Sequence, residues 1–123
     1  MLNKSQKFGE KGEALAVQRL KKAGYKIIKT NYRNRLGEID IIAKENDTIV
    51  FVEVKSRRSV NFGNPKQAIT LQKQKKISMV ALSYLKTMGL DTARARFDVV
   101  TVISNQDKPQ VEIIKNAFEL AYA

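Results

Sequence analysis

The chain of 123 residues contains no histidine, no cysteine and no tryptophan. Without cysteine there is no disulfide framework, no thiolate nucleophile and no cysteine-held zinc. Without histidine there is no histidine triad, no imidazole base and no imidazole metal ligand. Any metal must therefore be a hard cation held by oxygen. Carboxylates with Mg²⁺, Mn²⁺ or Ca²⁺, or lysine and serine chemistry, are the catalytic means that remain. Long apolar runs are also lacking: nothing approaches the roughly 18 residues of a membrane span, and the amino terminus has no signal-like hydrophobic stretch. The expectation is a soluble, cytoplasmic protein. What is present is ordinary for a globular chain, 43% hydrophobic and 28% charged, enough to bury a core in one domain over residues 1–123.

Charge is the first departure from the ordinary, with 23 basic against 12 acidic side chains and a net +11. It is unevenly spread. Residues 1–53 carry +4 and residues 91–123 carry −1, whereas residues 54–90 hold eight basic side chains and no acidic one. Lys55, Arg57, Arg58, Lys66, Lys73, Lys75, Lys76 and Lys86 make up that stretch. Such a run is the footprint of a phosphate-backbone binder. A merely solubilising basic face has the same composition, so charge alone names no nucleic acid.

Hydrophobic periodicity predicts a helix over Ser5–Ala23 with Phe8, Leu15, Ala16, Leu20 and Ala23 on one side, stopped by Gly24. Strands are predicted over Tyr25–Tyr32, Glu38–Lys44 and Thr48–Ser56, the last two joined by the turn composition Glu45-Asn46-Asp47. Asn64-Pro65 suits the start of a second helix running to about Met88, with Asn as N-cap and Pro at the first helical position. Strands over Arg96–Ile103 and Val111–Asn116 complete the order αβββαββ, a single α/β domain with a mixed sheet of about five strands flanked by helices.

The hairpin carries the chemistry. If Asn46-Asp47 is a two-residue turn, Glu45 pairs with Thr48, and counting outward brings Asp40 opposite Glu53 and Glu38 opposite Lys55. Two carboxylates at cross-strand range repel by on the order of 3 kcal/mol at an effective dielectric near 20. A hairpin selected only for stability avoids this, and a cation between them turns the repulsion into ligation. Helical spacing also puts Glu13 inside the apolar arc of the first helix and Lys73 inside that of the second, which is defined by Ile69, Ile77, Val80, Ala81, Tyr84 and Met88. Each residue has a plainer explanation. Glu13 can lie on the helix surface, Asp40 or Glu53 at a solvated edge, and Lys55 and Lys73 can snorkel. Glu38 suits a partner of Lys55 or Arg35, and Asp98 a structural hydrogen-bond acceptor.

Asp40 followed thirteen residues later by Glu53-Val54-Lys55 resembles the PD-(D/E)xK motif of restriction-endonuclease-like nucleases. The wider string resembles the YraN family of small bacterial proteins, similar in fold to archaeal Holliday junction resolvases. It comprises Gly12-Glu13-Ala14, Asn31-Tyr32-Arg33, Gly37-Glu38-Ile39-Asp40, Val50-Phe51-Val52-Glu53-Val54-Lys55, Phe62-Gly63, Lys73 and Arg96-Phe97-Asp98-Val99-Val100. Ile39 stands where the motif has proline. The resemblance implies a restriction-endonuclease-like fold, cleavage of phosphodiester bonds in structured or branched DNA with Mg²⁺ or Mn²⁺, and often a homodimer. It implies Glu13, Asp40, Glu53 and the Val54 carbonyl as metal ligands, Lys55 acting on the attacking water, and Lys73 near the scissile phosphate. Arg33, Arg35, Arg57, Arg58, Lys66, Lys75 and Lys76 would hold the nucleic-acid backbone, with Phe62 as a wedge or stacking group. The alternatives are a nucleic-acid-binding protein of the same fold whose site is weak or unused, and a basic RNA- or ribosome-associated protein whose acids are structural.

Overall fold

A computed structural model describes residues 3–58, 69–104 and 108–121. These residues form α1 (Lys4–Lys22), β1 (Lys26–Asn34), β2 (Gly37–Glu45), β3 (Thr48–Arg57), α2 (Leu71–Thr87), β4 (Arg94–Ile103) and β5 (Gln110–Phe118). The strands make one sheet in the order β1-β2-β3-β4-β5. All neighbours are antiparallel except β3 and β4, which run parallel on either side of the α2 crossover. This is the α/β architecture expected, in the order αβββαββ.

Local chemistry fixes the ends of both helices. Asn3 and Gln6 form a capping box, each side chain accepting from the other's backbone N–H, at 2.8 and 3.0 Å. At the far end Gly24, at φ 97°, lets its own N–H reach the Lys21 carbonyl and the Tyr25 N–H reach the Leu20 carbonyl. That double closure needs a residue free to adopt a left-handed conformation. It also throws Tyr25 back under the helix, where its ring is buried. Gly89 at φ 68° closes α2 in the same way.

The observed α2 differs from the sequence expectation. Its N-cap is Thr70, whose Oγ1 accepts from the Lys73 N–H at 3.1 Å. The start expected at Asn64-Pro65 lies outside the described residues. A Thr in extended conformation satisfies the same orphan donors that an Asn would. Met88 and Ala23, both expected in apolar arcs, are instead helix C-caps exposed to solvent, because the chain turns away at the following glycine.

The helices lie on opposite faces of the sheet. Ala16 and Leu20 of α1 pack with Ile41, Ala43, Val50, Val52, Val100 and Val102. Ile77, Val80, Ala81 and Tyr84 of α2 pack with Ile39, Ile42, Phe51, Phe97 and Val99. Ile39 and Ile42 thus share a face while Ile41 points to the other, so strict alternation breaks at Asp40. The β1 residue at that level, Asn31, is at φ 53°, a kink in the edge strand.

One close approach anchors α1. A Cβ built on Gly12 would overlap Ser56 Oγ and stand 3.2 Å from Ser56 Cβ, whereas a Cβ on Gly9 meets nothing within 4 Å. Gly12→Ala is expected to cost about 1–3 kcal/mol through overpacking. Gly9→Ala should instead gain up to about 1 kcal/mol of helix propensity. Urea unfolding of the two variants checks the opposite signs, and equal responses would show that the helix does not rest on β3 through Gly12.

Candidate active site

The β2–β3 hairpin turns at Asn46-Asp47 with Glu45 paired to Thr48, as its composition predicts. The ladder runs only as far as Ile41–Val52. Beyond that level β2 continues paired to β1 as far as Gly37, and β3 continues paired to β4 as far as Arg57. The two central strands therefore fork, and Asp40 and Glu53 are the first residues inside the fork. The expected regular pairing of Asp40 with Glu53 and of Glu38 with Lys55 is replaced by this divergence. The fork would orphan the Val54 N–H, and Asp40 Oδ2 accepts it at 2.9 Å.

Glu53 is 8% exposed and lines the same pocket as Asp40. Burial first, and then the hydrogen bond and negative charge of Asp40, push it well above the usual carboxylate range, against the opposing pull of Lys73 and Lys55. Lys73 Nζ lies 3.8 Å from Glu53 Oε1, brought there from the first turn of α2. Glu13 lines the same pocket from α1, held at that height by the Gly12–Ser56 contact. Burial and the charges of Asp40, Glu38 and Glu10 raise its pKa too. Its Oε1 is buried without a hydrogen-bond partner among the described residues.

The pocket, with room for about 310 Å³, thus joins Glu13, Asp40, Glu53, Val54 and Lys55, with Lys73 paired to Glu53. Its donors are all hard oxygens, and an orphaned buried carboxylate oxygen beside an acid pair suits a hard divalent cation. Among the described residues no three acidic side chains converge tightly enough to enclose an ion as they stand. Ligation by all three requires side-chain rotation toward the pair.

The outlying residues are more dispersed. Arg33 forms an exposed 2.9 Å ion pair with Glu38, so Glu38 is engaged by Arg33 and not by Lys55 or Arg35. Arg35 is exposed in the β1–β2 turn, Lys76 is exposed on α2 and Lys75 is half-buried there. Arg57 extends β3 beyond the pocket, its carbonyl accepting from the Ser104 N–H at 2.9 Å. Arg58 lies over the Phe8 ring at 4.9 Å from its centroid. Phe62 and Lys66 lie outside the described residues.

Local sequence pattern assigns Gly12 no physical role, places Phe8 simply on the apolar side of α1, and does not reveal the Val54 N–H as a partner of Asp40. A helical glycine directly before an inward-facing acid was the signal for the first. The other two depend on strand divergence and helix placement, which no local pattern encodes. Thr101, level with Lys55 on the parallel strand β4, also has a buried hydroxyl without a partner among the described residues.

Fold and site define a small three-layer α/β protein whose central strands open onto an acid-and-lysine pocket. The profile of the uncharacterised protein family UPF0102 matches residues 12–102, and the chain belongs to that family, the YraN family its motifs resemble. A UPF0102 protein of Syntrophus aciditrophicus (strain SB) is 54% identical over 114 residues, covering 93% of this chain and 90% of the relative. One from Desulfosudis oleivorans is 52% identical over 119 residues, covering 97% and 95%. One from Rhodococcus jostii (strain RHA1) is 44% identical over 112 residues, covering 90% and 95%. Among the described residues no helix is long and apolar enough to cross a membrane.

Proposed function

We propose that this protein is a divalent-metal-dependent endonuclease of the PD-(D/E)xK type, hydrolysing phosphodiester bonds in structured or branched DNA. The observation that carries the reading is the meeting of Asp40 and Glu53 in the strand fork, with Lys73 3.8 Å from Glu53 and Lys55 lining the same pocket. Asp40, Glu53 and Glu13 would hold Mg²⁺ or Mn²⁺, joined by the Val54 carbonyl. A bound ion of this kind supplies Lewis-acid stabilisation of phosphate charge and a more acidic water at neutral pH.

The chain's own groups do the rest. The Val54 N–H fixes Asp40 by occupying one of its oxygens. Lys55 orients the attacking water and offsets charge developing on the phosphate. Lys73 holds Glu53 in place and lies on the side where the scissile phosphate would enter. Arg33, Arg35, Arg57, Arg58, Lys66, Lys75 and Lys76 bind the backbone on either side. Resolving a junction requires two cuts, which makes a homodimer the proposed working assembly.

A second reading, a nucleic-acid-binding protein whose site is weak or unused, is favoured by one observation. The three acids do not converge around a common point among the described residues. Incubation with fluorescent duplex, flap, junction and single-stranded DNA in Mg²⁺ or Mn²⁺ separates the two. Metal-dependent cleavage of at least one structure is expected, and no cut on any of them with either ion overturns the endonuclease. Under both readings log affinity falls with log salt by about 0.9 per phosphate neutralised on duplex DNA, and a flat response discards backbone binding altogether.

A further inference from the structure

Phe8 lies in the second turn of α1 and is half-buried. It lines the same pocket as Asp40, Glu53 and Lys55, and its neighbour Gly9 leaves open space where a side chain would stand. The guanidinium of Arg58, exposed just past the end of β3, lies over the ring 4.9 Å from its centroid. Lys4, Lys7 and Lys11 are exposed on the same half of the helix, whose first turn carries no acid. A core position asks only for apolar volume, which leucine supplies equally well. An aromatic ring and a planar cation at the rim of an acidic pocket, beside an uncovered glycine, instead present flat surface to whatever the pocket holds.

We propose that Phe8 and Arg58 form a stacking platform for an unpaired nucleobase next to the carboxylate fork. This rests on the reading of the fork as a phosphodiester site, and deepens it by naming the local substrate form. A nucleotide whose phosphate lies at Asp40 and Glu53 has its base within reach of the Phe8–Gly9 shelf. Every base has a π-face, so stacking on a ring and a guanidinium is tolerant of sequence. In an intact duplex those faces are already occupied by neighbouring bases. The platform therefore selects single-stranded, frayed or branch-point nucleotides.

The test is equilibrium binding in EDTA, followed by fluorescence anisotropy, of a labelled oligo(dT) strand and a labelled blunt duplex. A strand bearing 2-aminopurine serves as a second probe. Phe8→Leu keeps the apolar volume and removes the ring, and it is expected to weaken oligo(dT) binding about tenfold. It should leave the blunt duplex unchanged and abolish the 2-aminopurine quenching expected with the native protein. Phe8→Trp should restore both, with thermal melting verifying that each variant is folded. Wild-type-like strand binding and quenching by Phe8→Leu, or equal weakening on strand and duplex, overturns the platform. Cleavage plays no part in these measurements. An inert metal site leaves a positive result standing, and strong binding indifferent to Phe8 removes the platform without touching the endonuclease.

Discussion

Glu53→Gln is expected to abolish metal-dependent cleavage and, in the same molecule, to stabilise the metal-free fold. The carboxylate is central to the proposed site, and losing one preorganised electrostatic group at a reacting centre lowers rates by about 10²–10³ or more. The stability gain has a separate origin. Glu53 is 8% exposed and faces Asp40, so burial and the neighbouring acid raise its pKa from the ordinary 4.5 to about 9. An acid whose pKa is raised by folding contributes most below its unfolded-state value, and that contribution is lost as pH rises through the folded-state value. The metal-free protein therefore weakens between about pH 5 and pH 9. At neutral pH the cost is on the order of 3 kcal/mol. Glutamine carries no charge to desolvate, so the variant should melt several degrees higher near pH 8. It should also lose most of the pH slope. Mg²⁺ should flatten the same slope in the native protein and leave the variant unaffected. Thermal melts across this range check it, and a Gln variant that melts lower at pH 8 while still cutting DNA would contradict both halves.

The largest stability loss is expected from Arg96→Ala. Asp98 is fully buried on the α1 side of the sheet. It accepts from Tyr25 Oη at 2.8 Å, from Arg96 Nε at 3.0 Å and from the Asn116 N–H at 3.1 Å. It is the structural acceptor that its place in the sequence suggests. Arg96 also reaches Glu45 at 2.6 Å, and Lys115 closes the group at 3.0 Å. Burial alone would lower the Arg96 pKa, but hydrogen bonds to Asp98 and Glu45 override it and lock the guanidinium charged. The Arg96 bond likewise holds Glu45 below the usual carboxylate range. Removing Arg96 strands a buried carboxylate, at a cost of about 3–5 kcal/mol. Arg96→Lys should recover only part, since an ammonium cannot span both acids. Arg96→Ala combined with Asp98→Asn should be milder than Arg96→Ala alone. Urea unfolding of the set gives the order, and a double variant weaker than Arg96→Ala would show that the charge was never the problem.

Much of this architecture is legible in the sequence. The Ile- and Val-rich runs mark the hairpin strands, Asn46-Asp47 marks the turn between them, and Gly24 marks a helix end, because each is decided by residues within a few positions of one another. The acid pair was legible for the same reason, since the turn fixes the count from Glu45–Thr48 outward to Asp40 and Glu53. The count said nothing of how far the ladder would run. Glu38 illustrates the limit: hairpin parity set it against Lys55, but the strands had already parted and Arg33 of β1 took it. The α2 start at Thr70 is not legible in the sequence because Asn64-Pro65 and Thr70 are both chemically suitable caps, and local preference does not rank them.

By itself, then, the sequence settled the chemical vocabulary. With no histidine and no cysteine, any metal site must be built of oxygen, and the acids and lysines available for one were countable from the chain. It also settled the element order, which follows from periodicity and capping. Tertiary structure alone decided where those groups meet. The fork between β2 and β3, the seating of Gly12 on Ser56 that brings in Glu13, the reach of Lys73 to Glu53, and the Tyr25–Asp98 bond across 73 residues of chain all join distant segments. Such meetings are set by how helices pack on a twisted sheet and where its strands diverge, and short-range sequence pattern carries no record of either.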